Sequence, residues 1–211
     1  MILSRAVHGQ SMVGTMGLSN QQQYTLDLAD QDNWIDGKPD VILVSGGGDD
    51  IAGDPFIIYL DYFNGGLSAR IQGVLASIEA SYKALFSFRD KYAPGTPIIG
   101  HCYDYAIPNG QGIPALLLGP WLQPSLYFAG YYDLIANQKL VKALIDDFYQ
   151  MLNGLQGAAN NFTLIDTRGT LTPNTSQPLG WANELHPYTA GFVALADKFL
   201  GVLRTKFRGR I

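Results

Sequence analysis

The chain holds three histidines, His8, His101 and His186, and imidazole is the side chain that can take up and return a proton near neutral pH. His8 opens the run His8-Gly9-Gln10-Ser11, where a hydroxyl follows a glycine turn. His101 opens His101-Cys102-Tyr103-Asp104-Tyr105. His186 closes Trp181-Ala182-Asn183-Glu184-Leu185-His186-Pro187. A hydroxyl next to a histidine is a candidate nucleophile only when the imidazole takes its proton and a third group orients the ring. No His-x₃-His or comparable ligand spacing occurs, so neither a metal nor another cofactor is expected.

Two further turns have the composition of binding loops. Ser45-Gly46-Gly47-Gly48 could cradle a phosphate with its backbone N–H groups. However, Asp49 and Asp50 follow at once and would repel an anion, and the turn has neither the lysine of a P-loop nor the spacing of a dinucleotide fingerprint. The plainer reading is a tight turn that lets the backbone pass close to a neighbouring loop. Asp166-Thr167-Arg168 is the other turn. Cys102 is the only cysteine, which excludes an intrachain disulfide and reads as a structural thiol beside a strand.

These turns need elements to position them. Four short β-rich runs read as buried strands: Ile2–Val7, Asp40–Ser45, Pro97–Cys102 and Phe162–Asp166. Leu67–Tyr92 places Ile71, Val74, Leu75, Ile78, Tyr82, Leu85 and Phe86 three and four residues apart, the spacing of one helix face. Leu134–Leu155 does the same with Leu134, Leu140, Val141, Leu144, Ile145, Phe148, Met151 and Leu152. A last helix is expected from near Pro187 through Phe192, Leu195, Phe199 and Val202, with the proline in its first turn. Leu18–Ile35 is a weaker helical stretch. Strands alternating with helices predict an α/β fold with a parallel sheet and right-handed crossovers. Ligands of such sheets gather at the carboxyl ends of the strands, where the turns above lie.

The chain has 211 residues, 47% of them hydrophobic and 15% charged. That suits one domain over residues 1–211 with a substantial core. A net charge of −4 leaves no cationic excess to neutralise phosphates, so no nucleic-acid partner is expected. No apolar run reaches the roughly 18–20 residues of a bilayer span. The first residues lack the long apolar stretch of a signal peptide, and the sequence does not name a compartment.

Taken in order, several blocks resemble the SGNH/GDSL-type serine hydrolases, a family of esterases and lipases. Val41-Ile-Leu-Val-Ser-Gly-Gly-Gly48-Asp49-Asp50-Ile51-Ala52-Gly53 is similar to the third block of that family, usually Gly-x-Asn-Asp. Trp181-Ala-Asn183-Glu184-Leu185-His186-Pro187 is similar to the fifth, usually Asp-x-x-His. His101 to Gly110, Gly119-Pro120-Trp121-Leu122 and Asp166-Thr-Arg168-Gly-Thr resemble a bacterial subgroup. The resemblance implies a flavodoxin-like, three-layer parallel sheet of strand order 2-1-3-4-5. It also implies hydrolysis of small carboxylic esters through an acyl-serine. His186 is then the base with Asn183 as its orienting partner, and Gly9 and Asp49 stand at the oxyanion-hole positions. Gly48, His101, Asp104 and Trp121 are substrate-side candidates. His101 and Asp104 can instead hydrogen-bond loops, and Trp121 can instead be aromatic packing.

The pattern is incomplete. Ala6-Val7-His8-Gly9 matches the family's second block better than its first. That mapping places the nucleophile-bearing strand before Met1 and makes the chain an N-terminally truncated member. Aligning Gly9-Gln10-Ser11 with the first block makes Ser11 the nucleophile but leaves too little chain for the second. On the bland reading Ser11 caps or lines a loop. Asp49 replaces an oxyanion-hole asparagine, and an ionised carboxylate cannot donate; losing one such donor costs about 10²–10³ in turnover. Asn183 stands for the orienting aspartate, a change that costs about 10⁴ in a serine protease. Glu184 is a substitute orienter or a solvated helix-entry residue. The rival reading is therefore a catalytically inactive member kept for binding or assembly.

Loss of a central first strand would leave Ile2–Val7 and Asp40–Ser45 without their shared neighbour. They would then pair directly, accept a strand from a second chain, or prove Ile2–Val7 to be the first strand itself. Exposed strand edges also leave room for a homodimer.

Overall fold

A computed structural model describes residues 2–209. It is an α/β structure with six α-helices and a three-stranded parallel sheet among the described residues. The strands are β1 (Ile42–Val44), β2 (Ile98–His101) and β3 (Phe162–Ile165), in the order β1-β2-β3. Ile42 pairs with Ile98 and Val44 with Gly100. Each strand lies inside one of the runs expected from sequence.

The expected strand over Ile2–Val7 is not formed. The segment carries no strand pairing, and Ile2 and Val7 are 94% and 63% exposed. Its anchor is a side chain: Arg5 donates through Nε and Nη2 to the Asp27 carboxylate, both at 2.6 Å. Asp27 belongs to α2 (Leu18–Ala29), so the ion pair ties this segment to a helix. Apolar β-rich composition stabilises a strand only where a partner edge and a packing face are present.

α1 (Met12–Thr15) and α2 precede β1. α3 (Arg70–Tyr92) buries Ile71, Leu75, Ile78, Tyr82, Leu85 and Phe86, all of the expected stripe except Val74. α4 (Gln123–Phe128) is followed by α5 (Leu134–Leu155), which buries Val141, Leu144, Phe148 and Leu152. The apolar spacing is followed best in α3; in α5 the expected Leu134 is 41% exposed. The last helix, α6, runs Thr189–Lys206 with Tyr188 as its N-cap, so Pro187 lies outside it and pairs in an isolated bridge with Trp181. Phe192, expected to face the core, is 51% exposed; the buried residue at the start of α6 is Gly191. A Cβ on Gly191 would lie 2.7 Å from Pro187 Cβ and 2.8 Å from Leu171 Cδ2, so the helix start packs backbone-close against both.

Contacts group the chain into two interleaved units. One comprises residues 1–51, 72–100 and 151–164. Its core includes Tyr82, Phe86 and Phe162, whose ring centroids lie 5.3–6.3 Å apart. The buried Arg89 donates to the carbonyls of Thr96 at 2.7 Å and Asn160 at 2.6 Å, tying the end of α3 to the segments that lead into β2 and β3. The other unit comprises residues 52–71, 101–150 and 165–211, with Phe56, Leu126, Phe148 and Trp181 among its buried residues.

Candidate active site

In the first unit, the Gly-rich turn after β1 and the segment Gly9–Met12 come together. Gly9 takes a left-handed conformation (φ +71°) in an exposed turn. Ser11 is the N-cap of α1, its Oγ accepting the Gly14 N–H at 2.9 Å. The Asp50 carboxylate accepts the next two N–H groups, Met12 at 2.6 Å and Val13 at 3.1 Å. The first-turn donors of this short helix are thereby satisfied. The fully buried Met12 also explains the glycine after Ser45. A Cβ on Gly46 would stand 2.7 Å from Met12 Sδ, and the Gly46 carbonyl accepts from Tyr82 Oη at 3.0 Å. Gly46 thus serves close packing. Gly48 and Asp49 belong to the same turn, with Asp49 exposed.

A serine used as nucleophile draws on neighbouring N–H groups for its oxyanion. At Ser11 the N–H that follows is bonded to Asp50, and that carboxylate would face any negative charge developing there. The Ser11 hydroxyl, used as acceptor by Gly14, keeps its own proton to donate.

The second unit holds the remaining candidates. His186 lies in a loop closed by the Trp181–Pro187 bridge. Its carbonyl accepts the N–H groups of Ala182 at 2.9 Å and Asn183 at 3.2 Å. Asn183 returns the contact: its Oδ1 accepts the Leu185 N–H at 3.0 Å, the His186 N–H at 2.9 Å and lies 2.8 Å from His186 Nδ1. Two backbone donors aimed at that atom identify it as the amide oxygen, because an NH₂ there would face them donor to donor. An amide oxygen can only accept, so Nδ1 carries the proton and the neutral ring has its lone pair on Nε2. The Trp121 ring stands edge-on to the imidazole, with centroids 5.4 Å apart.

Glu184 is neither orienter nor solvated. It is 0% exposed, and its carboxylate accepts four backbone N–H groups. Gly110 and Gln123 donate to Oε1, both at 2.9 Å. Trp121 and Leu122 donate to Oε2, at 2.5 and 2.7 Å. A legible signal existed: between Asp166 and Asp197 it is the only acidic residue. Residues 105–132, the stretch it clamps, contain no charged side chain.

His101 and Asp104 take structural positions. His101 packs edge-on to Tyr103 and Phe199 at 4.7 and 5.5 Å, and its Nδ1 accepts the Tyr103 N–H at 3.2 Å. Burial pushes this imidazole down to about 4, so it stays neutral near pH 7. The buried Asp104 carboxylate accepts from Tyr105 and Gly169, both at 2.7 Å, and from Leu171 at 2.6 Å, which holds the loop after β3. Cys102 is fully buried, its thiol pushed up chiefly by burial, and does not titrate near neutrality. Asp166 pairs with Arg168 at 2.8 Å, and the guanidinium also reaches Asp146 at 2.7 Å.

Among the described residues no group of three His, Cys, Asp or Glu side chains is arranged to hold a metal ion, and no helix is long and apolar enough to cross a membrane. Comparison of the sequence with protein-family models and with curated proteins finds no match.

Proposed function

We propose that the chain is a serine-esterase scaffold of the SGNH type, built on a flavodoxin-like sheet and directed at small carboxylic esters. The supporting observation is the Asn183–His186 pair, in which a pinned amide oxygen fixes Nδ1 as the protonated nitrogen and leaves Nε2 as the basic one. That is the tautomer a general base needs. The Asp-x-x-His-like spacing of Asn183 and His186 and the order of β1, β2 and β3 are consistent with the same family.

In this reading a serine Oγ attacks the ester carbonyl carbon and its proton passes to His186 Nε2. The alkoxide leaves with that proton as an alcohol. Water then attacks the acyl-serine, again giving its proton to Nε2, which returns it to the serine as the carboxylic acid departs. Ser11 is the serine that the resemblance of Gly9-Gln10-Ser11 to the family's first block offers for this step. Asn183 holds the ring but does not neutralise the imidazolium, so turnover is modest.

A second reading, a catalytically inactive binding or assembly protein, is favoured by one feature: Asp50 occupies the N–H that follows Ser11, with Asp49 beside it. Hydrolysis of p-nitrophenyl acetate by the purified chain, beside Ser11→Ala and His186→Ala, separates the two. Hydrolysis abolished by both substitutions supports the esterase reading with Ser11 as nucleophile. Activity that survives His186→Ala removes the base, and no hydrolysis at all supports the binding protein.

A further inference from the structure

We propose that Glu184 is a positioning residue for the His186 site, fastening the segment 110–123 so that Trp121 forms the wall against the imidazole. The inference rests on reading His186 as the base.

The physical case starts from burial. A carboxylate with no exposed surface is costly unless its lone pairs are filled, and here four backbone N–H groups fill them. These donors come from both ends of one stretch: Gly110 at its start, and Trp121, Leu122 and Gln123 at its end. The bond is reciprocal, because the Glu184 N–H donates to the Gln111 carbonyl at 3.0 Å. A single side chain thus closes residues 111–120 into a loop, within which Ile113 and Leu118 form an antiparallel bridge.

Its place in the sequence links the loop to the candidate base. Glu184 stands between Asn183, which holds the imidazole, and His186 itself. Turning inward at residue 184 while Asn183 turns to His186 brings the two ends of the clamp within one short loop. The consequence is visible at Trp121: its N–H is bonded to Glu184, and its ring lies edge-on to His186 at 5.4 Å. The stretch it fastens is uncharged, and the side chain it sets against the imidazole is the Trp121 ring. Movement of this clamp shifts the wall and the ring together.

Glu184→Gln is the isosteric test. One amide oxygen can serve one pair of donors, and the NH₂ group then meets the other pair donor to donor. The readouts are the His186 ring and Trp121 indole resonances in the ¹⁵N-labelled full chain, with p-nitrophenyl acetate kinetics alongside. The expected result is a folded variant in which both sets of resonances move, with kcat lowered about 10–100-fold and KM changed less than threefold. His186 and Trp121 resonances unmoved in folded Glu184→Gln would overturn the proposal. If that variant does not fold, Trp121→Ala keeps all four backbone donors in place; a His186 spectrum unchanged in it would overturn the coupling equally. Resonances that move in Glu184→Gln, where the wild-type chain itself shows no hydrolysis, would uphold the positioning role and remove the esterase reading instead.

Discussion

The backbone N–H of Met12 donates to the Asp50 carboxylate at 2.6 Å, which joins the first turn of α1 to the Gly-rich turn after β1. Asp50 performs there the task usually given to a residue just before a helix. Replacing it with alanine leaves the Met12 and Val13 donors without that acceptor. A loss of about 1–2 kcal/mol in urea unfolding is expected; an unchanged midpoint would mean that water replaces the carboxylate without cost.

At Asn183, the amide oxygen orients His186 but carries no charge to stabilise an imidazolium. Asn183→Asp keeps an oxygen where the Leu185 and His186 N–H groups point and adds that charge. Turnover of p-nitrophenyl acetate is expected to rise at least about tenfold, whereas Asn183→Leu lowers it. A fall in kcat with the aspartate would show that proton transfer to His186 does not limit the reaction.

Arg89 is fully buried and bonded to the carbonyls of Thr96 and Asn160. Arg89→Met retains most of the volume and leaves both carbonyls without a donor. The expected cost is about 2–4 kcal/mol, read as a lower Tm with an unchanged fold by circular dichroism.

The acid response of stability has a contribution from His101. Its folded pKa, pushed down to about 4 by burial, lies below the value of about 6.5 expected in the unfolded chain. Between these values the unfolded state binds the extra proton, so stability is complete above about pH 6.5 and falls as the pH drops towards 4. The contribution is at most about 3 kcal/mol. Urea unfolding at pH 7 and pH 4.5 should show a smaller acid loss for His101→Gln than for the wild type. An equal loss in both would assign the acid sensitivity to the carboxylates.

Glycine turns and apolar spacing made much of the fold legible. α3 and α5 follow from stripes of residues three and four apart, because one helix face must leave water. β1, β2 and β3 follow from short apolar runs ended by Gly, Pro or Asp. Ile2–Val7 has the same composition and forms no strand, because pairing is a property of two segments and no run of one segment encodes its partner. Arg5 in its middle was the local sign, since its charge is met by Asp27 on α2.

For the site, sequence alone determined that Asn183 and His186 lie close enough to interact: three residues in one loop cannot separate them far. Only the tertiary structure decided what the candidate carboxylates do. Asp50, Asp104 and Glu184 each accept backbone N–H groups from segments 37 to 74 residues away in the chain, and a one-dimensional pattern carries no record of which distant donors will need an acceptor. Burial turns Asp104 and Glu184 from candidates for chemistry into the fastenings of loops, because a charge removed from water is retained only where donors surround it.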